Sequence, residues 1–114
     1  MPVENWSDEV AVVHLCDEPQ FTEDMEGLNK SLAQQRRNVL LDLSALHYLN
    51  SSNLAWLLRV RKEMMAASRR LVLCAVTTQV WGAFLVTGLD KIFEFCDDVP
   101  TGLAALQISG KQKK

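Results

Sequence analysis

At 114 residues and 12.8 kDa the chain can bury one sizeable core and is too short for two ordinary domains. Hydrophobic residues at 48% and charged residues at 23% exclude a disordered chain, and a net charge of −2 gives no global nucleic-acid signal. The apolar runs are too short for a membrane span. Cys16, Cys74 and Cys96 are widely spaced and odd in number, which argues against a disulfide framework or a zinc site. No basic stretch followed by an apolar one opens the sequence, so the cytoplasm is the expected compartment.

The β-branched run 10–15, Val-Ala-Val-Val-His-Leu, predicts a strand. Thr22 is the expected N-cap of a helix over 23–35, with Met25, Leu28 and Leu32 at helical spacing. Glu23, Asp24 and Glu26 crowd its start and Arg36 and Arg37 follow its end, as the helix dipole prefers. Residues 39–43 are apolar on both sides of the pleat, the pattern of a central strand covered on both faces. Asn50, Ser51 and Ser52 are capping residues ahead of a helix over 52–67, closed by Ser68 and the pair Arg69, Arg70. Residues 71–76 predict a second buried strand, and Thr77 or Thr78 caps a helix over 79–87 that Gly88 ends. A short edge strand over 92–95 and a last helix over 100–106, capped by Asp97 or Asp98, complete a domain spanning 1–109. Residues 110–114 are expected to form a disordered, lysine-rich tail. This alternation predicts an α/β fold. We expect a four- or five-stranded mixed, mostly parallel sheet with about four helices and right-handed crossovers. The runs 39–43 and 71–76 should be central, and any strand within 2–8 an added edge.

Catalytic chemistry is missing from this pattern. There is no glycine-rich nucleotide cradle, no nucleophile elbow and no nameable acid/base pair, so no catalytic residue, metal ligand or cofactor is expected. Asp42, near the carboxyl end of a central strand, reads as a turn former on the amide of Ser44 or Ala45. His14 and His47 read as isolated, and the carboxylates of the N-terminal third as solvated. Residues 1–29 hold eight acids and no Lys or Arg, whereas residues 30–70 hold eight bases against Asp42 and Glu63. Such a basic segment can steer an acidic partner, though solvated helix faces give the same pattern. On the helix after Ser52, a step of about 100° per residue places Leu54, Leu57, Leu58 and Met65 on a core face. Ser52, Trp56, Arg59 and Glu63 fall on the opposite side, where an exposed Trp beside an Arg has the composition of a binding hot spot.

Three segments carry a resemblance: Leu41-Asp42-Leu43-Ser44, then Leu49-Asn50-Ser51-Ser52-Asn53-Leu54, then Thr87-Gly88-Leu89-Asp90-Lys91-Ile92-Phe93. From 39 to 106 the chain resembles the STAS-domain family of bacterial anti-sigma-factor antagonists. That family's pattern runs hydrophobic-D-L-S, D-S-S/T-G-L and G-L-D-x-hydrophobic-F at similar separations. Asn50 and Asn53 stand where the family has aspartate and glycine, and Cys16 with Asp17 replaces the usual glycine after the early strand. The resemblance implies a non-enzymatic protein-binding module whose second motif hydroxyl, Ser52 here, is phosphorylated by a serine kinase that doubles as anti-sigma factor. The unmodified protein would bind that kinase and free its sigma factor, phosphorylation would block binding, and a phosphatase would reset the switch. Partner-binding residues would be Asn50, Ser51, Ser52, Asn53, Trp56 and Arg59, with neither direct nucleic-acid contact nor membrane insertion. The alternative is a phosphorylation-independent STAS adaptor, such as a scaffold or the regulatory subunit of an ABC transporter ATPase.

Overall fold

Each strongly apolar run becomes a strand, and the capped segments between them become helices. The computed structural model describes residues 3–5, 7 and 9–112. Its elements are β1 (Val3–Asn5), β2 (Val10–Cys16), α1 (Gln20–Gln34), β3 (Asn38–Ala45), α2 (Ser51–Ala66), β4 (Leu71–Cys74), α3 (Thr78–Thr87), β5 (Glu94–Cys96) and α4 (Val99–Gln112). A single 3-10 turn, Leu89–Lys91, links α3 to β5. Order in the sheet follows order in the chain, β1-β2-β3-β4-β5, with β1 antiparallel to β2 and the later pairs parallel. None of the described helices is long and apolar enough to cross a membrane.

That order decides where the helices lie. Each parallel crossover steps one place in the same direction, and right-handed crossovers then deposit every connecting helix on one face. Val13, Leu15, Val39, Leu41, Leu43, Leu71 and Leu73 accordingly share the main core with Phe21, Met25, Leu28, Leu57, Val60, Met64, Val80 and Phe84 of α1, α2 and α3. Alternate strand residues point the other way. Val10, Val12, Leu40, Val72 and Cys74 form a smaller core covered by Leu106 and, at its margin, Val99 and Leu103 of α4. Gly102 lets α4 lie close on the sheet, because a Cβ there would come within 2.5 Å of Cys74 Sγ and 2.7 Å of Leu40 Cδ1.

Several boundaries differ from expectation. Thr22 lies inside α1, which has Pro19 at its N-cap position without a side-chain cap bond. The free amide of Thr22 is instead met from outside the helix by the Glu18 carboxylate, at 2.9 Å. β4 stops at Cys74 because Ala75 turns left-handed, φ 57°. The last strand is Glu94–Cys96 instead of 92–95, since Leu89–Lys91 takes up the preceding segment as a turn. Asp98 caps α4 by accepting from the Thr101 amide at 2.9 Å. The helix continues to Gln112, three residues into the expected tail, and 113–114 lie outside the described residues. Gly88 ends α3 in the left-handed conformation, φ 76°, as its position after Thr87 predicts.

Candidate functional site

The carboxyl ends of β2, β3 and β4 place three loops side by side, and side chains bind them together around the start of α2. In the loop after β2, the Asp17 carboxylate accepts from the His47 amide at 2.9 Å, and its second oxygen lies 2.7 Å from His47 Nδ1. Glu18 accepts from the Thr22 amide and, at 2.7 Å, from the Thr22 hydroxyl, and reaches across to the Asn53 side-chain amide at 2.8 Å. In the loop after β4, the Thr77 hydroxyl donates to the Leu46 carbonyl at 3.5 Å. The loop that delivers Ser51 and Ser52 is therefore held from both sides.

Asn50 and Asn53 form a reciprocal capping box. Asn50 Oδ1 accepts the Asn53 amide at 2.8 Å, and Asn53 Oδ1 accepts the Asn50 amide at 3.1 Å. The residue where the family has aspartate thus does the capping with a carboxamide oxygen. The residue where it has glycine is 1% exposed and turned to the protein interior. Asn53 is consequently held within the scaffold, its side chain almost wholly removed from solvent, where the sequence predicts a partner contact. Asn50, Ser51, Ser52 and Arg59 are exposed. Trp56 is half-buried against the main core, and the Arg59 guanidinium carbon sits 4.8 Å above its ring. The first turn of α2 so presents two hydroxyls beside backbone amides without intrahelical partners, with the Trp56–Arg59 pair one to two turns further on.

The core face of α2 is Asn53, Leu57, Val60 and Met64, while Leu58 and Met65 are 38% and 60% exposed. Of the expected core set, Leu57 is buried and Leu54 packs partly buried against the core, whereas Leu58 and Met65 fall outside it because the buried face is turned toward Asn53, Val60 and Met64. Arg61, on the far flank, lays its Nε 3.3 Å from the Ile92 carbonyl. The expectation for Asp42 holds at Ser44, whose amide donates to it at 3.0 Å, and His14 Nδ1 lies 2.7 Å from its other oxygen. His14 and His47 are each paired with an aspartate. Asp17, Glu18 and His47 brace the loops around the start of α2, and composition alone marks them only as polar loop positions.

The carboxylates of the clamp stay ionised. The His47 amide, opposed by partial burial and helped by the His47 ring, holds Asp17 below its ordinary value. The hydroxyl and amide of Thr22, with Asn53 in support, do the same for Glu18. Burial opposes ionisation of Asp42, but the Ser44 amide and His14 outweigh it. Ordinary carboxyls titrate near about pH 4, so on acidification the unfolded chain takes up protons that the folded chain still refuses. The stability that Asp17 and Glu18 contribute is complete above about pH 5 and is lost as the pH falls through their lower folded values. Urea midpoints are expected to drop between about pH 5 and pH 3, and Glu18→Gln to flatten that slope. An unchanged slope in the variant would place the acid sensitivity elsewhere.

The parallel sheet with one-sided crossovers, and the capped serine pair at the start of α2, are those of a STAS domain. Residues 18–102 match that family, and the chain belongs to it. Among its relatives is BtrV of Bordetella bronchiseptica, named as a candidate anti-sigma factor antagonist, which is 33% identical over 86 residues, 72% of this chain and 74% of that one. A solved structure of RsbS from Moorella thermoacetica, in a serine-to-glutamate variant, superposes with TM-score 0.83 at 18% identity, covering 96% of this chain and 97% of that one. The anti-sigma factor antagonist SpoIIAA in its unphosphorylated form superposes with TM-score 0.78 at 19% identity over 95% of each chain.

Proposed function

We propose that the protein is a cytoplasmic anti-sigma factor antagonist that binds an anti-sigma factor with serine-kinase activity through the first turns of α2, and that phosphorylation of Ser52 releases it. The observation that carries this reading is the exposed Ser51–Ser52 pair at a rigidly held helix start, in a domain whose relative BtrV bears the antagonist name. The phosphate would add nearly two negative charges. At the second residue of α2 it meets free amides and the positive end of the helix, so the fold tolerates it. The change is therefore felt by the partner and not by the core. The buried Asn53 side chain leaves the approach to Ser52 open. Asn50, Ser51, Trp56 and Arg59 extend the contact surface along the same side, and a phosphatase returns the protein to its binding form.

Titration of the cognate anti-sigma factor against Ser52→Ala and Ser52→Asp tests this. Ser52→Ala is expected to bind as the parent does, and Ser52→Asp to bind about tenfold or more weakly through charge and lost shape match. Equal binding by all three would reject the switch and favour an adaptor that works without phosphorylation.

A further inference from the structure

The basic central segment is drawn together in the fold at the end of α1 and α2 opposite the serine pair. A cleft of about 390 Å³ opens there between the two helices, floored by Leu32 and Met64 and edged by Arg36, Arg37, Arg69 and Glu63. Arg70, next in sequence, is not part of it, being matched by Glu94 and by the Ala105 carbonyl. Among the described residues, the other three arginines have no such match.

Arg37 is the telling residue. It is 7% exposed, so its charge has been taken almost wholly out of water. Among the described residues its guanidinium meets only neutral oxygens, Ser31 Oγ at 3.4 Å and Gln35 Oε1 at 3.0 Å, and its buried Nε has no partner. A buried cation is ordinarily paired, because desolvation without a counter-charge costs several kcal/mol. Among the described residues no carboxylate lies within ion-pair distance of Arg37, Arg36 or Arg69. The backbone holds Arg69 at the cleft as well. Ser68 turns left-handed, φ 58°, and the Arg69 amide closes α2 on the Met64 carbonyl at 2.9 Å.

We infer that this cleft is a binding site for a phosphorylated small molecule, with Arg37 as its buried anchor. Three guanidinium groups less the Glu63 carboxylate leave two positive charges, the complement of one phosphate monoester. Guanidinium forks match phosphate oxygens in paired hydrogen bonds. The volume exceeds what a phosphate alone fills, and the Leu32 and Met64 floor suits an apolar body attached to it. A recessed cleft between two helices selects a small molecule over a protein surface. The site stands at the far end of α2 from Ser52, so it does not depend on the phosphorylation switch.

Pyrophosphate is a suitable probe, titrated while proton–nitrogen spectra follow the arginine Nε resonances, with sodium chloride of matched ionic strength as control. The Arg37 Nε signal is expected to move saturably with pyrophosphate and not with chloride. Arg69→Gln and Arg36→Gln, both at exposed positions, should keep the parent melting temperature and weaken binding roughly tenfold each. If Arg37→Gln fails to fold, these two variants still decide the matter. An Arg37 signal that stays still, moves equally with chloride, or responds only to a phosphate-free acidic peptide would overturn the assignment. So would unchanged affinity in both exposed-site variants.

Discussion

Replacing Phe84 by alanine is expected to lower folding stability by about 3–5 kcal/mol. The ring is fully buried, and its centroid lies 5.2 Å from Phe95, 6.0 Å from Phe93 and 6.2 Å from Trp81. Phe95 in turn meets Trp81 edge-on at 5.0 Å. Phe84, like Phe95, touches the other three rings, and it is the fully buried one of the two, so its loss combines transfer free energy, an unfilled volume and several ring contacts. Val86, two residues along the same helix, is 89% exposed and serves as the control. Val86→Ala should stay within about 0.5 kcal/mol of the parent. Urea unfolding of the pair checks this, and comparable midpoints for both variants would deny the aromatic cluster its role.

Exchanging Asn53 for leucine is expected to cost about 2–4 kcal/mol, although leucine is the more apolar residue and the site is buried. Leucine would leave the Asn50 amide without its cap and the Glu18 carboxylate without a donor that now lies 2.8 Å away. Asn53→Asp separates the two duties. It keeps the acceptor for the cap but sets a second carboxylate against Glu18, so it should destabilise at neutral pH and recover part of the loss on mild acidification. A leucine variant as stable as the parent would show that the clamp contributes nothing to folding.

Both residues illustrate what the amino-acid order makes legible. The strands were readable because runs such as Val39 to Leu43 are apolar on both faces, and only a sheet covered twice can use them. The one-sided helices follow from chirality once the parallel order is known. The helix beginning at Ser51 resisted because its apolar residues, Leu54, Leu57, Leu58, Val60, Met64 and Met65, spread round the cylinder and fix no phase. Its orientation is set instead by Asn53, a polar residue drawn inward by partners on another loop. The start of α1 was misplaced for a kindred reason. Glu18 supplies the bonds from outside the helix, and spacing cannot show a cap contributed by a side chain four residues ahead. The serine pair was legible as a capping cluster, whereas its bracing by Asp17 and His47, thirty positions apart, exists only in three dimensions.

The placement of α4 bears on how the protein is made. A ribosome releases the chain from its beginning, and by the time β5 is complete the sheet already has its three connecting helices on one side. Leu40 and Val72, both fully buried in the finished molecule, still have nothing over them until Val99, Leu103 and Leu106 arrive. The nascent protein thus passes through a stage with one face dressed and one bare, and its bare face is apolar and sticky. Gly102 then shapes the closing step, since the late helix must settle within reach of Cys74 and Leu40 where a methyl group would collide. Final closure waits on this late helix, and the interval before it is when a chaperone or an aggregating neighbour has its opportunity.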